Sequence, residues 1–116
     1  MTMNPAPTAA FAALADPTRS TIVDLLARQG ELAAGDISGA FPSSASAISQ
    51  HLKVLRESGL VHVERRAQQR IYRLDTGAIS EVEAWLSERA RQWNARIDRM
   101  AAYLDTTRDR KTADDE

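Results

Sequence analysis

Apolar residues recur at helical spacing through the first half of the chain, alternate briefly in the middle, and return to helical spacing near the end. Phe11 and Leu14 sit three apart in an alanine-rich stretch, which predicts a short helix over 9–15 with Thr8 as its cap. Asp16-Pro17 marks a second helix start, since an Asp side chain accepts backbone N–H bonds and proline suits the first turn. Ile22, Val23, Leu25 and Leu26 supply its buried side, and Gly30 ends it. A third helix is predicted over 33–40, anchored by Ile37 and Phe41. Pro42-Ser43-Ser44 then turns a tight corner, with Ser43 or Ser44 capping a fourth helix that Gly59 closes.

Two short runs follow, Leu60-Val-His-Val-Glu64 and Arg70-Ile-Tyr-Arg-Leu74. Val61, Val63, Ile71 and, less cleanly, Tyr72 alternate with polar residues, which predicts a β-hairpin with a polar, cationic tip at 65–69. Ile79, Val82, Leu86, Ala90, Trp93, Ile97, Met100 and Leu104 recur at steps of three or four, a long amphipathic helix. The order is helix–helix–helix–helix–strand–strand–helix. The predicted fold class is therefore mainly α with a small β-hairpin, a winged helix-turn-helix. Residues 1–7 read as a flexible tail, 8–105 as one domain, and the charged stretch 106–116 as a disordered tail.

The fourth helix has two unlike sides. At about 100° per residue, Ile48, Leu52 and Leu55 fall together, and Ser46, Ser49, Gln50 and Lys53 fall opposite, with Arg56 at their margin. Short hydrogen-bonding side chains let a helix sink into a major groove and reach base edges. Cations beside them meet the flanking phosphates, and the helix N-terminus at Ser44 favours an anion. A surface helix whose serines merely face water fits this segment nearly as well. The cationic hairpin that follows changes the balance, because Arg65, Arg66 and Arg70, with the polar Gln68, would reach the neighbouring backbone or minor groove.

Charge points the same way. The net charge of −1 hides +4 over residues 44–74 between segments of −2 and −3. A basic patch on an acidic body is an electrostatic footprint for phosphates. Cysteine is absent, which removes disulfides and thiolate chemistry. The opening Met1-Thr-Met-Asn-Pro-Ala-Pro has neither the basic region nor the apolar run of a signal peptide, and no stretch approaches a membrane span, so a cytoplasmic protein without a membrane partner is expected.

Three ordered motifs, "ALADPTRSTIVDLLARQGEL", "ISQHLKVLRESGLV" and "RIYRL", resemble the ArsR (ArsR/SmtB) winged-helix regulators over residues 8–104. The resemblance implies a homodimeric repressor on an inverted-repeat operator in double-stranded DNA. It makes residues 44–57 the recognition helix, with Ala45, Ser46, Ser49 and Gln50 at the base-facing positions. "QWNARIDRMAAYL" in the last helix is similar to a subgroup without metal sites. Where metal-sensing members read "ELCVCDL", this chain has Glu31-Leu-Ala-Ala-Gly-Asp-Ile37, with Ala33 and Gly35 at the thiol positions. The last helix carries no histidine, so no metal or cofactor is expected. The usual Leu-Gly-Leu corner is Phe41-Pro42-Ser43 here, which stiffens the turn and removes an apolar anchor.

The two histidines read blandly: His51 as a satisfied, partly buried imidazole, and His62 as either a DNA contact or an exposed side chain. Arg19, just inside the second helix, reads as either a phosphate contact or the partner of an acid, and pairing is the expectation. No catalytic triad, metalloprotease motif or phosphate loop is present, so no catalytic residue is assigned. Trp85 and Trp93 are most simply packing residues of the long helix. That helix is longer than the body of so small a domain, so its stripe calls for a second copy. Phe11, Leu14, Ile79, Val82, Leu86, Trp93, Ile97, Met100 and Leu104 are the expected two-fold interface. The expected function is a sequence-specific repressor that occludes a promoter, open to a small-molecule effector. The competing reading is a protein–protein interaction module of the same fold with degenerate DNA recognition.

Overall fold

The computed structural model describes residues 5–114, with side chains described as far as residue 108. Its elements are α1 (Thr8–Leu14), α2 (Pro17–Gln29), β1 (Glu31–Ala33), α3 (Ala34–Gly39), α4 (Ala45–Glu57), β2 (Val61–Arg66), β3 (Gln69–Leu74) and α5 (Thr76–Asp114). The chain divides into two compact units, Met1–Glu83 and Ala84–Glu116.

In the first unit the helix starts follow local chemistry. The Asp16 side chain accepts the Arg19 N–H at 3.0 Å, and Pro17 opens α2 behind that cap. Gly30 ends the helix at φ 87, in the left-handed region that glycine enters without a steric penalty. Thr8 is the first residue of α1, not its cap; Pro7 holds the cap position and makes no side-chain bond there.

The expected third helix is shorter than its pattern suggested. Glu31–Ala33 forms β1, which pairs antiparallel with β3 through Leu32↔Tyr72 and Ala33↔Ile71. The sheet therefore has three strands in the order β1-β3-β2, where the sequence predicted a two-stranded hairpin. β3 is the central strand, and at its middle both faces are covered. That is why consecutive Ile71 and Tyr72 are both buried and the alternation there looked imperfect. The hairpin turns at Ala67-Gln68, between the Arg66↔Gln69 pair. Ala67 takes φ 55, a conformation that costs a residue with a Cβ roughly 1–2 kcal/mol.

Ile22 and Leu26 of α2, Ile37 of α3, Ile48 and Leu55 of α4, and Leu60 are fully buried, and no polar side chain is buried with them among the described residues. Each such aliphatic contributes about 1.5–3 kcal/mol relative to exposure. Three of α4's residues, Ile48, Leu52 and Leu55, face this core, so the helix is seated by one side only. α5 starts at a cap the sequence reading missed. Asp75 accepts the Ala78 N–H at 2.9 Å while its own N–H donates to the Leu60 carbonyl at 2.9 Å. Ala78, Ile79 and Val82 then pack against the core.

In the second unit α5 runs on to Asp114, through a segment whose composition predicts a disordered tail. No glycine or proline follows Gly77 to break it. The Thr106 and Thr107 hydroxyls donate to the carbonyls of Ala102 and Tyr103, at 2.9 and 3.0 Å, and so are satisfied within the helix. Residues 1–4 of the expected N-terminal tail and residues 115–116 of the expected C-terminal tail lie outside the described residues.

Candidate nucleic-acid interface

α4 is capped by Ser44, whose Oγ accepts the Ala47 N–H at 3.1 Å from an extended backbone just past the Phe41-Pro42-Ser43 corner. Ala45, Ser46, Ser49, Gln50, Lys53 and Arg56 are all exposed, whereas Ile48, Leu52 and Leu55 are buried. The outward side thus carries short polar groups near its N-terminal end and cations one or two turns later.

A polar hook sets α4 against the first two helices. His51 Nδ1 lies 3.3 Å from Arg19 Nη1 and 3.7 Å from Asp16 Oδ2. Arg19 also donates from Nε to the Ala13 carbonyl at 2.8 Å and from Nη2 to the Ala12 carbonyl at 3.4 Å, where the dipole of α1 favours a cation. Its guanidinium thus meets carbonyls and an imidazole, where the sequence reading expected an acid. The Arg19 N–H, followed by the charges of His51 and Arg19, holds the Asp16 carboxyl below its usual range.

The wing separates its arginines into two kinds. Arg65 and Arg70 stand directly opposite each other across β2 and β3, both exposed, with no ion pair to either among the described residues. Like charges facing across a ladder are destabilising, so this pair is not there for the sheet's benefit. Arg66 is engaged instead. It donates to both oxygens of Glu31 at 2.6 and 3.0 Å and reaches Glu64 at 3.3 Å. The fork geometry lowers the Glu31 pKa and raises that of Arg66 beyond its already high value. Gln68 sits exposed in the turn. His62 is exposed, as one of its two readings expected, and its Nε2 lies 2.7 Å from Asp75 Oδ2. The Ala78 N–H first, then the His62 charge, lowers the Asp75 pKa. Arg66 therefore ties the wing to β1, and His62 ties it to the cap of α5.

Glu31 and Asp75 were not singled out from sequence. Asp75 had a readable signal, an Asp just before a helical pattern. Glu31 had none, because its partner lies 35 positions away and only the strand register brings the two together.

The residues expected at a subunit interface divide. Leu14, Ile79 and Val82 pack partly against the chain's own core, and Phe11 is half-buried. In the second unit Leu86, Trp93, Ile97, Met100 and Leu104 are 47–60% exposed along one helix, and Tyr103 is exposed beside them. Trp85 is half-buried, with the Arg89 guanidinium 4.3 Å above its ring. Among the described residues no three His, Cys, Asp or Glu side chains converge on a position that would hold a metal ion. No helix among them is long and apolar enough to cross a membrane.

A helix, a corner, a second helix seated by three aliphatics, and a hairpin with outward cations define a winged helix-turn-helix. Residues 16–63 match the family described as bacterial regulatory protein, arsR family. The chain is 37% identical over 103 residues to the HTH-type transcriptional regulator Rv2034 of Mycobacterium tuberculosis, covering 89% of this chain and 92% of the relative. It is 37% identical over 76 residues to the transcriptional repressor SdpR of Bacillus subtilis, covering 66% of this chain and 83% of that one. An ArsR-like transcriptional regulator from Rhodococcus sp. RHA1 superimposes with a TM-score of 0.71 at 28% identity, covering 81% of this chain and 88% of that structure. The chain belongs to the ArsR family, whose members are transcriptional regulators rather than enzymes.

Proposed function

We propose that this chain is a cytoplasmic, homodimeric repressor that binds an inverted-repeat operator and acts by covering a promoter, without a metal signal. The observation that carries this reading is the outward side of α4, where exposed Ser46, Ser49 and Gln50 precede Lys53 and Arg56 while Ile48, Leu52 and Leu55 fix the helix from behind. Ser46, Ser49 and Gln50, beside the small Ala45, reach base edges; Ser44, Lys53 and Arg56 meet phosphates. Arg65 and Arg70, with Gln68, hold the flanking backbone. Arg66 serves chiefly to fix the wing through Glu31 and Glu64.

Two copies joined through the exposed apolar side of α5 would set two α4 helices one DNA turn apart, about 34 Å. Occlusion needs no chemistry beyond this, and a relative named as a transcriptional repressor supports that direction of control. Neither Ala33 nor Gly35 offers a ligand atom, which supports independence from thiolate-bound metal.

Titration of a fragment carrying an inverted repeat, at several salt concentrations, tests the proposal. Lys53, Arg56, Arg65 and Arg70 from two copies offer about eight phosphate contacts, so log K should fall with log salt at a slope near −7. A flat response, or equal affinity for a scrambled duplex, favours an interaction module that has lost its grip on DNA.

A further inference from the structure

We propose that His51 is a positioning residue for DNA recognition: its hydrogen bond to Arg19 fixes the rotation of α4 about its own axis, and with it the aim of Ser49 and Gln50. The inference rests on the function proposed above and names how that surface is directed.

What holds α4 from behind is aliphatic. Ile48, Leu52 and Leu55 are all buried, and burying such groups is favourable in any orientation that hides them, because the effect has no direction. A turn of about 20° about the helix axis keeps most of that burial. At the roughly 5–6 Å radius of a helix with its side chains, the same turn carries the outward groups about 2 Å. A hydrogen bond to a base edge tolerates a spread of about 0.5 Å. Reading bases therefore needs a directional contact on α4. Among the described residues, His51 in the middle of the helix makes the one side-chain hydrogen bond from α4 to another element.

That contact has a fixed donor. Arg19 gives its Nε–H to the Ala13 carbonyl at 2.8 Å and its Nη2–H to the Ala12 carbonyl at 3.4 Å, so α1 holds the guanidinium from two sides. Its Nη1 then lies 3.3 Å from His51 Nδ1. Arginine donates and never accepts, so Nδ1 is the acceptor and the ring proton sits on Nε2. The Asp16 carboxylate does not take the imidazole instead. Its Oδ2 is 3.7 Å away, too far for a hydrogen bond, and already accepts the Arg19 backbone N–H. With its side chain only 23% exposed, His51 is no base reader, but it adjoins Gln50, which the proposed function makes one.

The test is a double-substitution cycle on the full chain, with the tightest duplex selected from a random pool competing against its scrambled counterpart. His51→Leu keeps bulk and removes the acceptor. It should lose about tenfold or more of the discrimination, the scale of one misplaced base-reading side chain. The salt slope should stay that of the wild type, because the phosphate-facing cations remain. Adding Gln50→Ala to His51→Leu should cost little more, since both act through one contact. His51→Asn places an amide oxygen where Nδ1 stood and should restore discrimination. Proton–nitrogen correlation spectra of the imidazole should show Nδ1 without a proton in the wild type and a mixture of tautomers in Arg19→Met. If His51→Leu unfolds, Arg19→Met breaks the same contact and should show the same loss. Unchanged discrimination in the variants that fold, full additivity with Gln50→Ala, no rescue by His51→Asn, or a proton on Nδ1 in the wild type would each overturn the positioning role alone. A wild type that binds both duplexes equally overturns the proposed function, and this role with it.

Discussion

Trp93→Ala is the sharpest probe of the proposed pairing between two copies. Trp93 is 60% exposed on the chain alone. For a side chain of up to about 250 Å², that is roughly 150 Å² left to water, and covering it is worth about 4 kcal/mol at 25 cal/mol per Å². Both copies lose the contact in a symmetric pair. Association itself costs translational freedom and side-chain ordering, so only part of that sum appears as affinity. A loss of about 3 kcal/mol is the expectation, close to a hundredfold in dissociation constant. Sedimentation velocity over a dilution series reads it directly, with wild type dimeric at concentrations where the variant is monomeric. The variant should keep the wild-type melting behaviour of the first unit, to which Trp93 does not belong. A variant that sediments as wild type at every concentration would refute the assignment of this side of α5 to a partner copy.

Other outcomes follow from the same structure. Gln50→Ala should relax discrimination between operator and scrambled duplex, whereas Lys53→Ala should weaken all sequences alike and flatten the salt slope by about two for a pair of copies; competition assays at two salt concentrations separate them. Leu55→Ala empties a site with 0% exposure and should cost about 2–5 kcal/mol in urea unfolding, with a cost under about 1 kcal/mol counting against the seating of α4. The carboxyls of Asp16, Glu31 and Asp75 are all held below their ordinary range. They bind protons less readily folded than unfolded, so the stability they bring is complete above the normal carboxylate pKa and lost as pH falls below about 4. Melting followed from pH 7 to 3 should show an acid decline, which Asp75→Asn reduces.

What could be read from sequence was what repeats locally. The opposition of Ile48, Leu52 and Leu55 to Ser46, Ser49, Gln50 and Lys53 spans three helical turns and needs no tertiary knowledge. β1 spans three residues, too few for any period to show, and it exists because β3 offers it a free edge. Counting cations placed Arg65, Arg66 and Arg70 in one group; the register alone distinguishes them, giving Arg66 two acids and Arg65 and Arg70 each other. The His62–Asp75 contact was hidden for the same reason, since it joins the wing to a helix cap across a hairpin. Periodicity marks Ile79, Val82, Trp93 and Ile97 as one stripe, yet it does not say which of them the chain's own core takes. The first two go there, and the latter two stay exposed.

The most direct measurement is a hydroxyl-radical footprint of the full chain on the tightest duplex selected from a random pool. Two copies presenting α4 together should select a symmetric sequence and protect two patches about 10 bp apart on one face, with Gln50→Ala blurring the selected bases. A single protected patch, or a selected pool with no symmetry and no sequence preference, would contradict it.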